Sequence, residues 1–262
     1  MSGRSVHDAL LRALTSATLR QRLRAGEEGS LGPDEATVLR AADAERLARL
    51  ARFMGRHFYR ERIVRLFAAS RLLARRRGLD PLGVIAGPTF DALLDAAELG
   101  SVETAERVAS LVEPALIAAL GEMAYGRDLV VYEGALFRAE AGPRRWHATG
   151  DAEGTMPARS EHARICALDW DVTGLVAAVR RGDASLPEPV GTPTRLLIAL
   201  APSGRVTTVR CPEAVERLLG ALDGARTSAE AAAVAGVANT DATRLLGQLA
   251  EVGAVEWRER RR

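Results

Sequence analysis

The chain contains no lysine, so all 36 of its lysine or arginine positions are arginine. Together with the abundance of alanine, this bias indicates a GC-rich genome rather than a selected chemistry. The net charge is only +2, so long-range attraction to nucleic acid is not a property of the whole molecule. Any basic binding surface must therefore be local.

Cysteine and long apolar runs are also scarce. Cys166 and Cys211 provide no disulfide framework and lack the paired spacing of a zinc site. No window approaches the roughly 18 consecutive apolar residues of a membrane span, and the N-terminus has no apolar signal core. We therefore expect a bacterial cytoplasmic protein without membrane contact.

Motifs for catalysis or metal binding are missing. The four histidines are spread over separate segments: His7, His57, His147 and His162. None belongs to the His-x-x-x-His or Glu-x-x-His patterns that place ligands on one helical face. A nucleophile elbow, a phosphate loop and a dinucleotide fingerprint are also absent. Asp169 and Asp171 could share one side of a strand, but a helix cap by Asp171 and a solvated Asp169 explain them more simply. The sequence predicts no catalytic residue, metal ligand or cofactor in this chain.

Residues 1–142 are predicted to form an all-helical bundle. Apolar periodicity, N-cap residues and Pro or Gly breaks indicate helices over 5–25, 33–42, 43–77, 88–99, 102–124 and 127–141. Pro114 is expected to bend or divide the fifth of these helices. Residues 143–163, which are rich in Gly, Pro and mixed charges, predict a linker or irregular excursion.

Residues 164–262 are predicted to form a small α+β domain. A strand over 164–169 and a helix over 172–181 precede a β-hairpin made of 194–200 and 205–211. Pro212 then opens an amphipathic helix, Thr227 and Glu230 form a capping box for a second, and Asn239 or Thr240 opens a third. Residues 254–257 can return as a strand. The fold class is thus α+β, with a helical bundle followed by a winged-helix-like domain of three strands and three helices.

This C-terminal domain resembles a known recognition domain. The stretches VRCPEAVERLLGALDGARTSAEAAAVAG (209–236) and LLGQLAEVGAVEW (245–257) look like the pyrroloquinoline-quinone chaperone. Domains of that type serve as recognition elements for ribosomally synthesised and post-translationally modified peptides (RiPPs), where they hold a leader peptide. Winged-helix DNA-binding domains share this order of helices, so the domain alone does not fix a function.

The helical half extends the resemblance. The stretches 56–82, 99–116, 129–142 and 165–183 are similar to the partner proteins of multinuclear non-haem iron oxidative enzymes in RiPP biosynthesis, in particular the thiaglutamate-type and copper-responsive branches. The resemblance implies a non-catalytic subunit of a heterodimer, with iron in the partner enzyme and a cysteine of the precursor peptide as the modified residue.

The resemblance also implies a peptide site. An extended leader would add to the edge of the second hairpin strand and lie beside the third helix. Alternation and helical spacing then select the contacting residues: Arg205, Val206, Thr207, Thr208, Val209, Arg210, Arg244, Leu245, Gln248 and Leu249. Which face of the strand meets the peptide stays open, and the three arginines suit an acidic leader.

An arginine-rich helix is the other candidate surface. Arg49, Arg52, Arg56 and Arg60 recur every three or four residues, so they share a face that could bind a partner protein, follow phosphates or be simply solvated. The alternative function is a winged-helix transcriptional regulator with a helical sensor domain. Its recognition helix would carry only Arg244 against Asp241 and Glu251, which disfavours DNA binding.

Overall fold

The computed structural model describes residues 3–27, 37, 39, 43–141 and 155–259, which form an α+β fold. The predicted helix 33–42 lies outside this description except for residues 37 and 39. The N-terminal half contains α1 (Gly3–Thr15), α2 (Ala17–Ala25), α3 (Ala44–Leu66), α4 (Ala68–Arg76), a 3-10 helix (Pro81–Ile85), α5 (Pro88–Asp95), α6 (Val102–Leu120) and α7 (Gly126–Ala141).

The C-terminal part mixes strands and helices. Its elements are β1 (Thr155–Arg159), β2 (Arg164–Leu168), α8 (Thr173–Arg181), β3 (Thr194–Leu200), β4 (Val206–Arg210), α9 (Glu213–Ala221), α10 (Ser228–Ala235), α11 (Asn239–Glu251) and β5 (Val255–Glu259). One antiparallel sheet has the order β2-β3-β4, and β1 pairs with β5 in a second. The predicted hairpin and its third strand, β2, are therefore present. The strand β1, however, occupies part of the predicted linker.

The central strand β3 is buried on both faces. Leu196 and Ile198 belong to the core of the helical half, whereas Leu197 and Ala199 belong to a second core formed with α9, α10 and α11. This division follows from the alternation of side chains along a strand. Helix α7 contacts all three strands of the β3 sheet, so the sheet lies between two helical layers.

The predicted helix 43–77 is two helices, α3 and α4, which meet at Phe67. Buried Glu133 of α7 accepts hydrogen bonds from the backbone N–H groups of Ala69 (2.8 Å) and Ser70 (3.0 Å) and from the Ser70 hydroxyl (2.5 Å). Arg71 donates to the Val64 carbonyl at 2.7 Å. A side chain inserted into the helical hydrogen-bond ladder breaks the helix at this point.

The predicted helix 5–25 is also divided, because Ser16 caps α2. Its hydroxyl accepts from the Leu19 N–H at 3.1 Å and donates to Glu98 at the same distance. Buried Arg20 donates to the carbonyls of Ala13 and Leu14 at the end of α1. The polar side chains of this segment thus satisfy the backbone groups that the break leaves open.

Pro114 does not divide its helix, which runs without interruption from Val102 to Leu120. It lies inside α6, on an exposed side, and Ser110 four residues earlier is exposed as well. The Ser110 carbonyl, which loses its intrahelical donor, can therefore bond to water.

Gly253 determines how α11 turns into β5, and alanine there should destabilise the fold. Its φ of 78° is left-handed, and an added Cβ would lie 1.9 Å from the carbonyl oxygen of Leu200. We expect Gly253→Ala to lower the free energy of unfolding by at least about 2 kcal/mol. Urea denaturation measures this change.

Gly247 in the same region offers a matched control. A Cβ at this helical position meets no atom within 4 Å, so Gly247→Ala should raise stability by about 0.5–1 kcal/mol. Equal effects of the two substitutions would contradict the close approach at Gly253.

Candidate functional site

The candidate site is the free edge of β4. Strand β4 pairs with β3 on one side, and no described strand pairs with its other side. An edge strand presents backbone donors and acceptors to which an extended chain can add. The sequence predicts this strand, and the structure places it at the end of the sheet order.

The register shows which backbone groups are available. The Cys211 N–H donates to the Arg195 carbonyl at 2.9 Å, and the Ala201 N–H donates to the Arg205 carbonyl at 2.8 Å. Since bonded and non-bonded pairs alternate in an antiparallel ladder, residues 205, 207, 209 and 211 direct their backbone groups toward β3. The outward groups are therefore those of residues 206, 208 and 210.

The two faces of β4 have different neighbours. Val206 packs against the helical core, and the Thr208 hydroxyl lies 3.3 Å from the hydroxyl of Tyr132 on α7. On the other face, the Thr207 hydroxyl donates to the Val252 carbonyl at 3.2 Å, next to the end of α11. Val209 shares that face and is exposed. Thr207 and Val209 therefore lie on the side of α11, and Val206 and Thr208 on the side of α7.

Helix α11 offers only part of the predicted contact set. Arg244 and Gln248 are exposed and Leu245 is half-buried, so these three side chains are accessible. Leu249 is only 5% exposed and belongs to the C-terminal core. Its side chain therefore packs under α11 and is not accessible to a ligand.

The site has a positive border. Arg205 is exposed and has no ion pair with any described residue. Arg210 lies 3.7 Å from the carboxylate of Asp171, and Arg244 lies 3.5 Å from that of Asp241. Because exposed pairs contribute little energy, both guanidinium groups can exchange these partners for an acidic ligand.

The four arginines predicted to bind a partner separate into two pairs. Arg52 and Arg56 form ion pairs with Asp95 and Asp91 of α5, so they join α3 to its neighbour. Arg49 and Arg60 are exposed and, within the described part of the chain, have no ion pair.

The cysteines and the Asp169–Asp171 pair lie in separate surroundings within the described residues. Burial raises the pKa of the Cys166 thiol to about 11 and also raises that of Cys211. Asp171 accepts hydrogen bonds from the N–H and hydroxyl of Thr173, the first residue of α8, but the N-cap position is occupied by Val172; Asp169 is exposed. Among the described residues, no group of three His, Cys, Asp or Glu could hold a metal ion. His147 lies outside those residues.

Glu133 is the most perturbed acid of the described chain. Burial raises its pKa to about 7, although the bonds from Ser70 and Ala69 favour the ionised form. Its carboxylate contacts the backbone of residues 69 and 70 in α4 and forms no ion pair with a described residue.

Comparisons with models of known protein families and with curated protein sequences find no match. Among the described helices, none has the length and apolar character needed to cross a bilayer.

Glu133 should make stability depend on pH. Its folded pKa lies above the usual value of 4.5, so its stabilising contribution is complete below about pH 4.5 and is lost as the pH rises through about 7. We expect Glu133→Gln to remove this dependence. The variant should also lose about 1–3 kcal/mol, because an amide NH2 would face N–H donors.

Urea unfolding between about pH 4 and 8 tests this expectation, with Glu122→Gln as a control. The Glu122 side chain is 87% exposed, so its removal should leave the pH dependence unchanged. A wild-type dependence that persists in Glu133→Gln would show that another group causes it.

Proposed function

We propose that the chain is the non-catalytic subunit of a peptide-modifying enzyme. It would bind the leader of a ribosomally made precursor peptide by strand addition at β4. It would then present that peptide to a multinuclear non-haem iron enzyme, which modifies a cysteine. The observation that carries the proposal is the outer edge of β4, with which no described strand pairs. The hairpin that contains β4 packs against one core on each face of β3.

The backbone of β4 suits an extended peptide. Residues 206, 208 and 210 offer an N–H and a carbonyl each, over a strand of about 14 Å. Strand addition uses such groups for affinity, while side-chain pockets select the sequence. The accessible part of α11, formed by Arg244, Leu245 and Gln248, would supply side-chain contacts on the face of Thr207 and Val209.

The charges suit an acidic leader. Arg205, Arg210 and Arg244 are all exposed, and only weak surface pairs engage the last two. The charge of α11 disfavours DNA, since its single arginine stands against Asp241 and Glu251, whereas phosphate binding depends on cationic side chains.

The domain assignment is part of this proposal. Residues 164–262 would be the winged-helix-like recognition domain and 1–142 the helical domain that contacts the iron enzyme. Support comes from the hairpin followed by three helices that share one core. The pairing of β1 with β5 extends that domain into residues 155–159.

Thr208 provides the sharpest test. Thr208→Pro removes an outward N–H without touching the ladder to β3, and proline is tolerated on the open side of an edge strand. We expect the affinity for the precursor peptide encoded beside this chain to fall at least about tenfold, since a backbone bond is lost and the ring blocks the approach. Fluorescence anisotropy of the labelled peptide measures this change.

Thr208→Val is the matched control. It removes the hydroxyl that contacts Tyr132 but keeps the N–H, so peptide affinity should stay unchanged. Equal affinities of both variants, with circular dichroism showing both folded, would argue against this edge. Duplex DNA binding with a steep salt dependence and no peptide binding would instead support the regulator.

A further inference from the structure

Helix α3 carries an apolar strip on its solvent side. We name Leu50, Phe53, His57 and Val64 the Phe53 strip, because their spacing of three, four and seven residues places them along one line of the helix. Phe53 is 71% exposed, Leu50 45% and Val64 37%, and the His57 side chain is exposed as well. The strip spans about 21 Å.

The opposite face of α3 fixes the orientation of this strip. Ala51, Tyr59 and Ile63 are buried in that face. Gly55 allows α5 to approach so closely that an added Cβ would lie 3.0 Å from Leu94. The helix is held by its small and buried residues, and the Phe53 strip therefore faces solvent on a rigid support.

The strip has positive charges along it. Arg46, Arg49 and Arg60 are exposed and form no ion pair with any described residue. Their neighbours Arg52 and Arg56, by contrast, are neutralised by the acids of α5. Glu61 is the acid next to the strip, and its carboxylate lies 4.0 Å from His57. The surface is thus apolar at Leu50 and Phe53, is interrupted by His57 before Val64, and has a cationic border.

We propose that the Phe53 strip is a docking surface for an acidic amphipathic helix of a partner protein. An apolar helix face would cover Phe53 and Leu50, and its flanking carboxylates would pair with Arg46, Arg49 and Arg60. A second copy of this chain is a poorer occupant, because two strips would bring six unpaired arginines together.

This inference deepens the proposed function, since it names the surface by which the chain would bind its enzyme partner. The surface is distinct from the β4 edge, where the precursor peptide would bind. A variant can therefore lose partner binding at the Phe53 strip while it keeps peptide binding at the β4 edge, and the reverse.

Two synthetic peptides of about 20 residues, with the same leucine face, serve as probes; one carries glutamates beside that face and the other lysines. We expect the glutamate peptide alone to bind the full chain, with an affinity that falls about tenfold between 0.05 M and 0.5 M salt. Phe53→Ala should weaken this binding about tenfold, as removal of a central aromatic anchor does. Because the Phe53 side chain is 71% exposed, we expect its truncation to leave the fold intact.

Val234→Ala is the matched control, because Val234 is 65% exposed on α10, away from the strip. Its binding of the glutamate peptide should equal that of the wild type. Binding of both peptides alike, absence of binding, or an unchanged affinity in Phe53→Ala would overturn the proposal. Precursor-peptide affinity is measured on the same proteins. If the wild type binds the glutamate peptide but not the precursor peptide, the β4 site is contradicted and the Phe53 strip is not.

Discussion

The two-sided burial of β3 is the constraint on which the rest of the structure depends. Leu196 and Ile198 face the helical core, whereas Leu197 and Ala199 face the core of α9, α10 and α11. Neither helical layer could be removed without exposing one face of this strand. Strand β3 pairs with β2 on one side and with β4 on the other, and no described strand pairs with the outer edge of β4. The candidate binding site is therefore a consequence of how the two cores share one strand.

Buried polar side chains set the direction of the helices around that sheet. Glu133 accepts from N–H groups in the first turn of α4, Ser16 accepts from the Leu19 N–H in the first turn of α2, and Arg20 donates to carbonyls at the end of α1. The Phe53 strip lies on α3 and the open edge on β4, so the two surfaces belong to separate elements.

The sequence predicted helices and strands well where capping and turn residues mark their ends. The capping box of Thr227 and Glu230 and the hairpin around Pro202 are both present. The helix breaks at Ser16 and Phe67 were missed, because their causes, Glu98 and Glu133, lie far away in the sequence. The outward register of β4 and the burial of Leu249 also depend on tertiary pairing. Periodicity identifies a strand or a helix, but it does not tell which neighbour covers each face.

Amide hydrogen exchange by NMR, with and without the precursor peptide, tests the central claim most directly. The account predicts that the amides of Val206, Thr208 and Arg210 gain protection when the peptide binds. Those of Thr207 and Val209, already bonded to β3, should change little. Peptide binding that leaves the three outward amides unprotected would contradict strand addition at this edge.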